Sequence, residues 1–250
     1  MIVAVPYHLD DRLPGLDLGM LADHEVIVDL RTGTAWQRMA VLYEQVARVV
    51  AGATSPPLIV SGDCTTSLGV LAGLQRAGRD VGIVWFDAHA DFHTEATTTS
   101  GYLGGMPLAL AAGVGVLTLP DALGLRAVAQ SRIVLIDARD TDPGEQVLLE
   151  GSAVVRRSVQ DLTEADLPSG ELYLHVDVDV CDPEAIPDLL YPAPGGPPLD
   201  NVLAAVHRVA ATGRVAAVGI AATWRQNGPG AAAHRKFTRQ LRQALDGSTC

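Results

Sequence analysis

Asp87-Ala88-His89-Ala90-Asp91 stands directly after the apolar run Val81–Phe86. In an extended chain alternate side chains share a face, so two carboxylates and one imidazole point the same way. Carboxylate oxygen beside imidazole nitrogen suits a divalent transition metal such as Mn, Fe, Co or Zn. A second set, His175-Val176-Asp177-Val178-Asp179, puts His175, Asp177 and Asp179 on one strand face and Leu174, Val176 and Val178 on the other. Two carboxylates on a buried face repel each other and lose their hydration unless a cation sits between them. The plainer alternatives are a solvated acidic turn for the first set and an exposed edge strand for the second. The apolar flanks of both sets weigh against them.

Such groups need a frame that brings distant segments together. Short apolar runs recur at Ile2–Val5, Leu58–Val60, Val81–Phe86, Ile133–Ile136, Leu172–Val180 and Val215–Ala221. Segments with apolar residues at helical spacing, Trp36–Ala51 and Ser67–Ala77, lie between some of them. Strands alternating with helices imply βαβ units and a mainly parallel sheet. Polar residues gather just after these runs, at Ser61-Gly62-Asp63-Cys64, Asp87–Asp91 and Asp137-Ala138-Arg139-Asp140. In an open parallel sheet ligands bind beyond the carboxyl ends of the strands, which is where these groups fall. No repeat and no long linker breaks the chain, so residues 1–250 read as one domain, with Tyr191–Pro198 as a rigid rim loop.

Composition narrows the partners. The chain is 48% hydrophobic and 19% charged, which suits a well-buried globule. A net charge of −11 repels phosphate backbones and anionic membranes, so neither nucleic acid nor a membrane is expected as a partner. The apolar stretch from Asn201 to Thr223 carries His207, Arg208 and Arg214 and does not read as a membrane span. The start, MIVAVPYHLDD, lacks a basic region and reads as a strand rather than a signal. Three cysteines without paired spacing (Cys64, Cys181 and Cys250) argue against a disulfide framework and for a cytoplasmic setting.

Five ordered blocks resemble arginase and the wider ureohydrolases. They are Ser61–Cys64, Asp87–Asp91, Thr97–Gly101 followed by Met106-Pro107, Arg139–Glu145 (RDTDPGE) and Asp177–Pro183 (DVDVCDP). The resemblance implies a three-layer α/β/α sandwich around a mainly parallel eight-stranded sheet, often in a homo-oligomer. It implies two Mn²⁺ ions, or another divalent transition metal, activating a bridging hydroxide that attacks a guanidinium carbon. On this reading Asp87 and Asp177 bridge both metals, His89 and Asp179 bind one, and Asp91 binds the other. Ser100, Asp142 and Glu145 fall where arginases hold the α-carboxylate and α-amino group of an amino-acid substrate. For Asp142-Pro143-Gly144 an ordinary turn is an equal alternative, since these are turn-forming residues.

Several positions depart from that pattern. Cys64 stands where the family has a histidine ligand; a thiolate there shifts preference from Mn towards Zn, Fe or Co, and an inert buried cysteine is the alternative. Gly104 replaces the proton-shuttling histidine, and His93 is the candidate to take over part of that role. Asp91 and His93 are thus the expected catalytic groups, with His93 also a substrate contact. No acid appears near Gly219–Arg225, where a glutamate grips the guanidinium. Tyr102 and Trp224 read equally as pocket-lining or packing residues, and His8, His24, His207 and His234 show no partner spacing. The amino-acid end of the site looks kept and the guanidinium end changed. That combination resembles the relatives in antibiotic pathways that convert Nω-hydroxy-L-arginine into ornithine and hydroxyurea. Two other readings stay open: a non-catalytic metal-binding relative, and an agmatinase or arginase acting on an unmodified guanidino substrate.

Overall fold

The computed structural model of the chain describes residues 1–16, 19–30, 32–225 and 228–247. In chain order the described strands and helices are β1 (Ile2–Val5), β2 (Tyr7–His8), β3 (Asp11–Arg12), β4 (His24–Glu25), α1 (Ala35–Ala51), β5 (Leu58–Ser61) and α2 (Ser67–Arg76). Next come β6 (Val81–His89), α3 (Pro107–Ala111), α4 (Thr118–Leu123), β7 (Ile133–Asp140), α5 (Pro143–Glu150) and β8 (Val155–Arg157). The series ends with β9 (Glu171–Asp177), α6 (Leu199–Ala210), β10 (Val215–Ala221) and α7 (Ala231–Leu245).

Eight strands form one sheet in the order β4-β1-β5-β10-β9-β6-β7-β8, and every neighbouring pair is parallel. β2 and β3 make a separate antiparallel hairpin. Alternation along the strands explains the three layers. Val3, Ile59, Ile83, Trp85, Leu135 and Tyr173 face one apolar cluster together with Met39, Leu42 and Tyr43 of α1 and Leu68 and Leu71 of α2. Their neighbours Val60, Val84, Phe86, Ile136, Leu174, Val176 and Ile220 face a second cluster with Val202 and Val206 of α6 and Phe237 and Leu241 of α7. Both faces of the sheet are therefore dry, as parallel sheets require, and polar groups are left to the strand ends.

Two strand ends differ from simple extension. The run Leu172–Val180 does not stay extended: β9 stops at Asp177, and Val178–Val180 form a 3₁₀ turn. The cause is local, since the Asp177 carboxylate accepts the N–H of Asp179 at 2.9 Å and closes an Asx turn. Likewise β6 ends at His89, and Asp91 adopts a left-handed φ of 51°. Asp tolerates that region better than most residues, and strain of this kind gathers at functional sites. The apolar stretch from Asn201 onwards divides into α6 and β10. No described helix is long and apolar enough to cross a membrane. Cys64 and Cys181 are free and buried; Cys250 lies outside the described residues.

Candidate metal centre and active site

The carboxyl ends of the central strands open into a cavity of about 490 Å³. Every residue expected at the site reaches its wall except Asp87, which is buried just behind it among the same groups. Asp177 comes from β9 and Asp179 from the turn after it. Asp87 and His89 come from β6, Asp91 from its left-handed exit, and Cys64 from the turn after β5.

Asp87 straddles two sets of donors. Its Oδ1 accepts the His89 N–H at 2.8 Å and lies 3.4 Å from His89 Nδ1, which in turn is 3.2 Å from Asp179 Oδ2. Its Oδ2 accepts from Trp85 Nε1 at 3.1 Å and is 3.8 Å from Cys64 Sγ. Cys64 Sγ is also 2.9 Å from Asp177 Oδ2 and 3.3 Å from His175 Nε2. Two groups thus have ligand atoms close enough for one ion each: Asp87, His89 and Asp179, and Cys64, Asp87 and His175. Asp177 turns only Oδ2 towards these donors, because Oδ1 is taken by Asp179 N–H and by the Thr223 hydroxyl at 2.5 Å.

The electrostatics call for positive charge. Burial first, then the Asp87 and Asp177 charges, holds Asp91 well above the ordinary carboxylate range. Burial followed by Asp179 and Asp87 does the same to Asp177, and burial with Asp87 raises Asp179 to about 7. For Asp87 itself burial opposes ionisation, but the His89 contacts outweigh it and the net shift is downward. His89, despite burial, is pushed up to about 12 by Asp179 and Asp87. Burial drives His175 the other way, to about 3, so its imidazole is neutral. Asp91 Oδ2 is buried with no hydrogen-bond partner among the described residues. Four crowded acids, one of them with an orphaned oxygen, fit divalent cations far better than they fit one another.

A second polar group lines the cavity. His93 Nε2 lies 3.0 Å from Asp142 Oδ2 and 3.5 Å from Glu145 Oε2, and its Nδ1 is 3.1 Å from Thr97 Oγ1. Glu145, on the first turn of α5, accepts from Phe92 N–H at 2.9 Å and from Asp142 N–H at 3.2 Å. Asp142 therefore starts a helix and also lines the cavity. Ser100 Oγ accepts from Tyr102 N–H at 3.2 Å at the same wall. Because both His93 ring nitrogens are engaged here, the expectation that His93 takes over the shuttle role gains no geometric support.

The space over Gly104 is taken by another ring. A Cβ on Gly104 would lie 2.3 Å from the ring and hydroxyl of Tyr102. Tyr102 OH is 3.0 Å from His8 Nε2, and His8 Nδ1 is 3.1 Å from Gly62 O. His8 is thus a site neighbour, not a partnerless histidine. Sequence reasoning missed it because 94 positions separate it from Tyr102. Arg139 was seen only as part of a motif. It pairs with Asp137 and donates to the carbonyls of Asp179 at 3.1 Å, Val180 at 3.0 Å and Ala193 at 2.7 Å, pinning the turn that carries Asp179. Thr223 sits at the cavity wall where an acid was looked for and not found.

A parallel sheet whose central strand ends converge on a buried carboxylate and imidazole cluster defines an α/β protein with a candidate two-metal centre. The defining sequence pattern of the arginase family matches residues 5–222. The chain belongs to the arginase family. An arginase of Eremothecium gossypii is 30% identical over 195 residues, 72% of this chain and 49% of the relative. One from Bacillus subtilis is 30% identical over 157 residues, 56% of this chain and 52% of the relative. The chain thus spans about half the length of the curated relatives it matches. A crystal structure of Bacillus subtilis arginase superposes with a TM-score of 0.85 at 21% identity, covering 99% of this chain and 98% of the other.

Proposed function

We propose that the chain is a metal-dependent amidinohydrolase that cleaves a C–N bond of a guanidino or N-hydroxyguanidino amino acid, with Nω-hydroxy-L-arginine favoured over L-arginine. The observation that carries this reading is one cavity holding both the Asp87–His89–Asp91–Asp177–Asp179 cluster and the separate His93–Asp142–Glu145 group. Asp87 would bridge two ions, Asp177 and Asp91 would complete one, and His89 with Asp179 the other. Bound there, two divalent ions such as Mn²⁺ lower the pKa of a water and offset the charge of a tetrahedral stage.

The remaining chemistry belongs to side chains. Asp142 and Glu145 accept from an α-ammonium, and Ser100 offers a hydroxyl to the α-carboxylate. His93 holds the two acids in place. Tyr102 occupies the space over Gly104, and burial together with the Asp63 charge keeps its hydroxyl protonated. With His8 Nδ1–H donating to Gly62 O, Nε2 accepts a hydrogen bond from the Tyr102 hydroxyl; a proton released by the attacking water and taken up at Nε2 would pass through that hydroxyl to the departing amine.

Thr223 supports the substrate preference. Its hydroxyl donates to Asp177, so a neutral side chain stands where the resemblance puts a guanidinium-gripping glutamate. Burying a firm cation without a partner costs several kcal/mol. A hydroxyl on the terminal nitrogen withdraws electrons, so the group enters neutral. Side-by-side assays of hydroxyurea and urea release should give a higher kcat/KM for Nω-hydroxy-L-arginine than for L-arginine. A higher value for L-arginine or agmatine sinks the argument from Thr223, and no reaction with any of them gives the lead to a binding protein.

A further inference from the structure

His175 has no role in the function proposed above, yet its ring is set with more care than packing requires. It lies against Trp85 with ring centroids 3.7 Å apart and 25° between planes. Ser67 Oγ is 3.0 Å from Nδ1, and Tyr173 OH donates to the same Ser67 oxygen at 2.8 Å. Gly219 makes the room: a Cβ there would fall 2.1 Å from Tyr173 OH and 3.3 Å from His175 Nδ1. The other ring nitrogen, Nε2, is aimed at Cys64 Sγ and shares a pocket of ligand atoms with Asp87.

We infer that His175 Nε2 is a metal ligand, and that with Cys64 Sγ and Asp87 Oδ2 it makes one half of the centre a thiolate–imidazole–carboxylate site for Zn²⁺ or Co²⁺ in preference to Mn²⁺. The distances fit. Ligands about 2.0–2.3 Å from a tetrahedral ion stand roughly 3.5 Å apart. Sγ to Nε2 is 3.3 Å and Sγ to Asp87 Oδ2 is 3.8 Å. A ligating imidazole ordinarily donates its other N–H to an oxygen that fixes its orientation, and Ser67 Oγ is that oxygen here. Sulfur and nitrogen donors favour the softer end of the divalent series. The thiol gives up its proton as the ion binds. The other half, Asp87, His89 and Asp179, supplies only oxygen and imidazole and suits Mn²⁺ as readily.

This rests on the two-metal reading above, and the test separates the two. The metal-free full chain is titrated with Co²⁺, following the near-ultraviolet thiolate-to-cobalt charge-transfer band and the total cobalt bound. The expected result is two Co²⁺ per chain, with one of them producing the band. In Cys64→Ser the band disappears. In His175→Phe, which keeps a ring on Trp85 but no donor, chelator competition shows the band-forming site at least tenfold weaker while the other site is unchanged. Should metal-free His175→Phe melt well below the parent chain, His175→Gln replaces it. Two bound Co²⁺ without the band, or a His175 variant that binds the band-forming ion as tightly as the parent, overturns the inference and leaves the two-metal reading standing. No Co²⁺ bound at all overturns both.

Discussion

Around Asp87 the donors fall into two unlike halves. On the Oδ1 side stand His89 and Asp179, with His89 partly open to the cavity. On the Oδ2 side stand Cys64 and His175, both buried, with Trp85 and Tyr173 behind them. The first half is rich in charge and holds a proton on His89 through two carboxylates. The second holds a neutral imidazole and a thiol whose ionisation burial and Asp177 resist. A single bridging carboxylate can thus join a hard site to a softer one, and the sequence around each strand end decides which is which.

The largest expected effect comes from removing whatever fills both halves. Chelation should abolish amidinohydrolase activity and lower Tm by about 10 °C, since a ligand present at a thousand times its Kd contributes about 4 kcal/mol. An unchanged Tm after exhaustive chelation would mean that the acids do not depend on metal.

In the metal-free chain the buried groups around the centre should then respond to pH with opposite signs. Asp91, Asp177 and Asp179 keep protons when folded that the unfolded chain releases near pH 3.8, so their contribution to stability falls as pH rises, for Asp179 up to about 7. His89, retained as a cation to about 12, adds a further loss above pH 6.5. His175 acts the other way: between about 3 and 6.5 only the unfolded chain binds its proton, so its contribution rises with pH. Three acids and His89 outweigh one imidazole, and metal-free Tm should be lower at pH 8 than at pH 5. Added metal should reverse the order, because binding releases protons. A metal-free Tm that climbs steadily from pH 5 to 8 contradicts this balance.

Much of the site was legible in the sequence because it is local. Asp87, His89 and Asp91 crowd the end of one strand, and the Asp177–Asp179 pair marks another. The strands that carry them are apolar runs with few alternatives. What stayed hidden depends on strand order. His8 meets Tyr102 only because β1 and β5 lie side by side and bring the segment after β1 against Gly62. Cys64 meets His175 because β5, β10 and β9 are consecutive in the sheet, across 111 positions of chain. The two-residue strand β4 and three-residue β8 carry too few residues for any period to show. The extended reading of Asp179 failed for a local reason, since an Asp side chain that captures a nearby N–H competes with the strand.

A smaller effect should come from a residue that touches neither half. Tyr102→Phe removes the hydroxyl that faces His8 and keeps the ring over Gly104. The expected outcome is a fall in kcat of about tenfold or more with metal content unchanged. An unaltered kcat would make Tyr102 a packing residue and send the proton by another route.

The central claim is that Asp177 and Asp87 hold two ions between them. Asp177→Asn removes a charge while keeping the size of the side chain and an oxygen for the Asp179 N–H. Metal analysis of the purified variant beside the parent chain, both reloaded with Mn²⁺ or Zn²⁺, tests the claim directly. The account predicts two ions per parent chain and no more than one per variant chain; two ions in both, or none in the parent, contradicts it.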